Sequence, residues 1–432
     1  LLFFHAPGRG EEPPLVVLLS IDGLKPDYVL EAGKHGLKVP NLRRLVAEGL
    51  YATGVTGVVP TVTYPSHATM VTGVSPARHG IFANHPVDPF GKNHGGWTWY
   101  AEDLRVPALW DAAAEAGLTT AAVHWPVNVA ARIKWNIVQY WRAGTPDDRK
   151  LIRALSTPGL VAEAESALGD YPDGIAEDLE SDVRRAAFNA WMIGAKKPHL
   201  HLAYLTALDH EQHERGPYTP EVFAVLERID ALVGDIRTAA EKVPGRRVYL
   251  CVVSDHGHIK VDKTLNLNAA LRRAGLIDAG SDGKLKSWQA WAWVSGASAA
   301  IMLNDGADRG KVRAALRKVA GDPANGVLRL VEPPELERLG GFPGAAFLVG
   351  VRPGFQIGGG LDGPLAEPMP AAKGTHGFLP ELADMDAAFF LAGPGVPRGR
   401  NLGRIDMRDI APTVAALLGV TMPQAEGRNR LR

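Results

Sequence analysis

Between residues 15 and 265 the chain is punctuated by continuous apolar runs rather than alternating ones. Leu15–Ile21 (LVVLLSI), residues 119–124, residues 201–208 and Val248–Val253 (VYLCVV) are runs of this kind. A strand that is apolar on both faces suits the interior of a parallel sheet, whereas a strand with one wet face alternates. Helical periodicity falls between the runs, at 39–48, 108–116, 175–193 and Pro220–Glu241, with a further strand near 51–58. Strands alternating with helices predict an α/β fold: a doubly wound, mostly parallel sheet sandwiched by helices.

After about residue 265 the rhythm changes. The stretch 268–372 is Gly-rich, with strand-like apolar character at 288–302, a helical pattern at 310–320, and then a loop-like segment, PGFQIGGGLDGPLAEPMP. It reads as a smaller inserted α+β subdomain. The core would then comprise 15–267 and 373–425. The sheet resumes at 387–391, and a last helix starts with Asp409 as N-cap and runs to Gly419. Residues 1–14 read as an N-terminal tail, either the remnant of an export signal or a cloning remnant.

Composition narrows the partners. Lys+Arg and Asp+Glu both number 47, so there is no basic footprint for nucleic acid and no acidic tail. No apolar stretch approaches the ~18 residues of a membrane span. Cys251 is the sole cysteine, which excludes an intrachain disulfide and a thiolate metal cluster. Any metal must bind through carboxylate and imidazole. The sequence carries no signature of oligomeric state.

Open α/β sheets bind ligands beyond the carboxyl ends of their strands, so the residues just after each run are the candidates for chemistry. Asp22 ends the first run. Asp209 ends another, with His213 one helical turn later. Asp255 and His256 follow VYLCVVS, and His376 lies in GTHGF after the insertion. Singly, each reads as a turn, cap or solvated loop residue. Together they make six oxygen and nitrogen ligands, enough for two divalent ions with three protein ligands each.

In PTVTYPSHATMVTG, Thr63 precedes Pro65 at the start of a small-residue helix, where free N–H groups and the helix dipole favour a phosphate. A plain N-cap is the local alternative. A Thr hydroxyl becomes a nucleophile only when a metal or base removes its proton. His67 and His79 read as supports of this turn.

The ordered segments SIDG, PTVTYPSHATMVTG with PARHGIFANHP, LTALDHEQHERGP, VVSDHGH and GTHGF resemble the alkaline phosphatase superfamily, above all its nucleotide pyrophosphatase/phosphodiesterase branch. ALWDAAAEAGLTTAAVHWPV also resembles a segment of that branch. The resemblance covers about residues 15–267 and 373–425. It implies an alkaline phosphatase-like fold and two Zn2+ per chain, one held by Asp22, Asp255, His256 and the nucleophile Thr63, the other by Asp209, His213 and His376. It further implies that Asn84, with the Tyr64 backbone N–H, meets a phosphoryl oxygen, and that the reaction passes through a phospho-threonine. Export to the periplasm or beyond is implied by the same likeness.

The substrate expected is a small-molecule phosphate ester, a nucleotide or similar diester. Tyr64, Tyr140, Trp141 and Tyr204 are the candidate aromatics around its second substituent, although aromatics beside a sheet edge are also ordinary core residues. Monoester hydrolysis would need a cation for the extra charge; Arg132 and Lys134 are available, or are solvated loop charges. A phosphonate hydrolase on the same site is a third reading, and a non-catalytic metal-binding protein a fourth. The G-x-G-x-x-G spacing of Gly358, Gly360 and Gly363 follows no clear strand and opens no helix, so it reads as a loop and not a dinucleotide site.

Overall fold

The computed structural model describes residues 12–142, 144–145, 147–280 and 283–431. Of the tail expected over 1–14, residues 1–11 lie outside the described residues. The first apolar run forms strand β1 (Leu15–Ile21), buried along its whole length. The sheet around it also contains β2 (Leu50–Tyr51), β3 (Thr120–Val123), β4 (Trp135–Ile137), β5 (Leu200–Leu205), β6 (Val248–Val253), β7 (Phe389–Ala392) and β8 (Arg400–Asn401). Their order across the eight-stranded sheet is β8-β2-β7-β6-β1-β5-β3-β4. From β6 to β4 all pairings are parallel; β7 runs antiparallel to both β6 and β2.

The run is apolar throughout because both faces are covered. Val16 and Leu18 pack with Met70, Trp110, Val414 and Leu418, from helices on one side. Leu15, Val17, Leu19 and Ile21 pack with Leu42, Ile193, Leu226 and Ile229, from helices Pro40–Glu48, Leu179–Lys196 and Pro220–Glu241 on the other. The doubly wound sheet predicted from sequence is therefore present.

The segment after residue 265 contains an antiparallel sheet in the order Ala290–Ser295, Ser298–Leu303, Phe347–Val351, Val327–Val331, with helix Arg309–Ala320 packed on it. Two expectations need correction here. The loop-like stretch after Pro353 contains strands Gly354–Gly358 and Ala366–Thr375, which flank Ile259–Asn266. Their Gly- and Pro-rich sequence hides a strand character conferred by pairing. The G-x-G-x-x-G segment accordingly does follow a strand, but it leads into another strand and opens no helix. At the last helix, Ile410–Leu418, Asp409 stands at the N-cap position without bonding the helix N–H groups. Its carboxylate instead accepts from the Arg428 N–H (2.6 Å) and from the Arg430 guanidinium (2.7 Å), a charged and stronger donor brought back by the C-terminal segment.

Candidate active site

β1, β5 and β6 end side by side, and the Asp22 N–H donates to the Leu205 carbonyl (2.9 Å), which fixes the first carboxylate against the end of β5. Helix Ala207–Arg215 carries Asp209 and His213 one turn apart; Asp255 and His256 follow β6; His376 follows the strand Ala366–Thr375. One ligand atom each from Asp22, Asp255 and His256 lie within 4.8 Å of one another, and so do those of Asp209, His256, His258 and His376. His213 adjoins the second group, its Nε2 3.4 Å from Asp209 Oδ2 and its ring 5.0 Å from that of His376. The six residues singled out in the sequence thus meet in one place.

His258 joins them and was missed. Its Nε2 bonds Asp209 Oδ1 at 2.5 Å. The only sequence signal was its place at the end of VVSDHGH, two residues past His256.

Each candidate ligand is oriented through the atom it does not offer. His213, His256 and His376 donate Nδ1–H to the carbonyls of Gly374 (3.0 Å), Gly257 (3.2 Å) and Thr61 (3.3 Å), which turns each Nε2 into a lone-pair donor. Asp255 Oδ1 accepts from the Gly23 and His256 N–H groups, both at 3.1 Å. Asp22 Oδ2 accepts from the Tyr204 hydroxyl. What remains is instructive: Asp22 Oδ1, Asp255 Oδ2 and His256 Nε2, all buried, have no hydrogen-bond partner among the described residues.

Electrostatics point the same way. Burial lowers the pKa of His256 to about 4 and of His258 to about 3, and holds His376 well below its ordinary value, so these rings are neutral near pH 7. Burial also raises the Asp22 carboxyl well above the usual range, with the charges of Asp209 and Asp255 adding to it. Asp255 is raised by burial too, against the pull of His67. Burial works against Asp209 as well, but the imidazoles of His213 and His258 outweigh it and hold that carboxyl low. Neutral imidazoles beside crowded carboxylates with orphaned oxygens fit a hard or borderline divalent cation.

Thr63 is the first residue of a ten-residue helix, Thr63–Thr72, and is buried. It lies beside both ligand groups. On one side Thr61, two residues earlier, accepts from His376 and donates its hydroxyl to the Phe378 carbonyl (2.6 Å). On the other, His67 Nδ1–H donates to the Thr63 carbonyl (2.8 Å), its ring lies 3.6 Å from Asp255 Oδ2, and its Nε2 accepts from Ser20 Oγ (2.9 Å). His79 bonds Thr69 Oγ1 (3.0 Å) and accepts from the Ile81 N–H (3.1 Å), bracing the same helix.

Asn84 stands at the helix start, where its Oδ1 accepts from the Tyr64 N–H at 2.9 Å. That N–H is therefore engaged by Asn84 itself. Tyr64 and Tyr204 are buried, the first with its hydroxyl on Gln139 Oε1 (2.7 Å), the second with its hydroxyl on Asp22. Tyr140 and Trp141 are also buried, under Trp99 and Trp97.

The sequence matches the family described as type I phosphodiesterase / nucleotide pyrophosphatase over residues 16–378. Human ectonucleotide pyrophosphatase/phosphodiesterase family member 1 is 26% identical over 258 residues, 57% of this chain and 24% of that protein. Bis(5'-adenosyl)-triphosphatase ENPP4 of Pongo abelii is 23% identical over 275 residues, 62% of this chain and 53% of that protein. The matched region thus spans about half the length of these curated relatives or less. In fold, the chain is similar to human ectonucleotide pyrophosphatase / phosphodiesterase 5, with a TM-score of 0.67, 21% identity, and 96% and 97% of the two chains covered. It is equally similar (TM-score 0.67, 20% identity) to an inactive murine form of that protein in complex with AMP, again covering 96% and 97% of the two chains. With its match extending from the first strand to the loop of His376, the chain belongs to the type I phosphodiesterase / nucleotide pyrophosphatase family.

Proposed function

We propose that the chain hydrolyses phosphate diesters, nucleotide diesters among them, with Thr63 as nucleophile and two zinc ions as its cofactor. The observation that carries this is that Thr63 lies beside both ligand groups: His67, which bonds its carbonyl, is 3.6 Å from Asp255, and Thr61, two residues earlier, accepts from His376. Asp22, Asp255 and His256 would hold one ion; Asp209, His213 and His376 the other, with His258 setting Asp209. Bound there, divalent ions lower the pKa of a hydroxyl and offset charge on the attacking and leaving oxygens. Thr63 Oγ1 attacks phosphorus, the leaving alkoxide departs in line, and water then cleaves the Thr63 phosphoester. The Asn84 NH2 stabilises a non-bridging oxygen as charge develops.

Two further features support a diester over a monoester. Arg132 lies 4.0 Å from Glu115 at the exposed surface and Lys134 lies over the Trp135 ring, so each cation a monoester would call on has another partner. The relatives' printed names are those of phosphodiesterases and pyrophosphatases. A location outside the cell belongs to the same reading; among the described residues, no helix is long and apolar enough to cross a membrane. So does the division into a core of 15–267 and 373–425 and an insertion of 268–372.

Thr63→Ala should reduce turnover of bis-p-nitrophenyl phosphate by at least about 10^3-fold while the zinc content of the purified protein stays at two per chain. Near-wild-type turnover in that variant would remove Thr63 from the mechanism. In the wild type, a higher kcat/KM for p-nitrophenyl phosphate than for the diester would overturn the choice of substrate class.

A further inference from the structure

The loop of His376 is gripped by backbone from two sides. On one side is the segment that leads into helix Thr63–Thr72: His376 Nδ1–H and the Gly377 N–H both donate to the Thr61 carbonyl, at 3.3 and 3.0 Å. On the other is the tip of a hairpin from the inserted segment. Strands Ala290–Ser295 and Ser298–Leu303 pair with Ser295 opposite Ser298, which leaves Gly296 and Ala297 as a two-residue turn. From that turn the Ala297 N–H donates to the His376 carbonyl at 3.0 Å.

The tip has no slack. The Gly296 carbonyl accepts from the Ile357 N–H (3.0 Å) and the Ala297 carbonyl from the Val351 N–H (3.1 Å), so neighbouring strands hold it from behind. Gly296 has a φ of +65°, the left-handed backbone that such a turn demands and that glycine adopts without strain. A methyl group there would collide with the His376 carbonyl oxygen, and one at Gly377 with the Ser295 carbonyl oxygen. In both cases the obstacle is backbone, which cannot swing aside as a long side chain can. Any side chain at Gly296 must therefore push the His376 loop away from the turn. Asp209 and His213 stand on a different element, helix Ala207–Arg215, and would not follow. A metal-ligand set works only when held within about 0.5 Å of its productive geometry. At the far end of strand Ser298–Leu303, Gly306 is left-handed too (φ +79°), but among the described residues no atom lies within 4 Å of where its Cβ would be.

We infer that Gly296 is a positioning residue for the ligand group of Asp209, His213 and His376, and that the inserted segment serves the site by holding His376 in place. The inference rests on the two-ion reading above. Its test is zinc affinity, measured by competition with a chromophoric chelator that resolves the two ions. Gly296→Ala should weaken one ion by about 10- to 100-fold and change the other by less than about twofold. Gly306→Ala imposes the same kind of backbone strain without the collision, and should leave both ions as in wild type. Because Gly296 acts through His376, adding Gly296→Ala to His376→Ala should cost little more, whereas a residue that only stabilised the fold would add its full loss. Ala297→Pro deletes the N–H that reaches His376 and keeps Gly296; it should give the same one-ion loss, and it decides the matter if Gly296→Ala does not fold. Wild-type affinity for both ions in the Gly296 and Ala297 variants, an equal loss in Gly306→Ala, a loss shared evenly by the two ions, or additive losses in the double variant would each overturn the inference. Failure of the two-ion reading is seen separately, as a wild type that binds fewer than two zinc ions per chain.

Discussion

His258 shows how much of the site depends on groups that need not touch an ion. Its Nε2 lies 2.5 Å from Asp209 Oδ1, and its peptide carbonyl accepts from the buried Lys25 Nζ at 3.3 Å. A carboxylate fixed at one oxygen presents the other in a set direction. His258→Ala should therefore weaken zinc binding by about 10- to 100-fold, measured by competition with a chromophoric chelator on protein whose circular dichroism matches wild type. Unchanged affinity would mean that the bond does not serve the metal. Tyr204 is comparable: the parallel register sets it opposite Ser20, and its hydroxyl reaches Asp22 two residues on. The sequence revealed the six ligand candidates because each follows an apolar run or sits in a short motif. It hid the roles of His258 and Tyr204, since which atom a side chain turns toward a neighbour is set by register and loop path.

Among the elements, helix Ala207–Arg215 is capped from outside itself. Its own N-cap, Thr206, makes no side-chain cap bond. The cap comes from another helix: Asp182 Oδ2 accepts from the Thr206 and Ala207 N–H groups at 2.8 Å each. Arg185, as fully buried as Asp182, bridges Asp182 and the Thr206 hydroxyl. Asp182→Ala would leave that guanidinium buried without its carboxylate. It should cost about 3–5 kcal/mol in urea unfolding, and a loss below about 1 kcal/mol would show that water replaces the carboxylate. No local pattern announces a cap lying 25 residues away. The sheet strands were legible for the opposite reason, since burial on both faces writes itself directly into composition. The strands beside Ile259–Asn266 were not, because pairing alone confers them. The segment after 268 also reaches the site, where the Ala297 N–H donates to the His376 carbonyl (3.0 Å).

For the molecule as a whole, the buried histidines set a pH dependence. Burial lowers His67 to about 4 and His79 and His201 to about 3. Above the ordinary value of 6.5 these rings are neutral both folded and unfolded, and their contribution to stability is complete. As pH falls from 6.5 toward 4 the unfolded chain takes up protons that the folded chain refuses, so stability is lost, by up to about 1.4 kcal/mol per pH unit for each ring. Asp22 and Asp255, raised by burial, oppose this trend over part of the range. The melting temperature should still fall between pH 7 and pH 5, and a flat profile from scanning calorimetry would contradict the burial of these rings in the neutral form.

The two ligand groups share His256 and draw on residues near both ends of the chain and in its middle. In a molecule without a disulfide, ions held there would act as a reversible cross-link joining β1, helix Ala207–Arg215, the end of β6 and the loop after strand Ala366–Thr375. Free metal concentration would then tune the lifetime of the entire fold as well as the reaction, because whatever binds only the folded chain stabilises it by mass action. A protein built this way would be more durable where such ions are plentiful than where they are scarce.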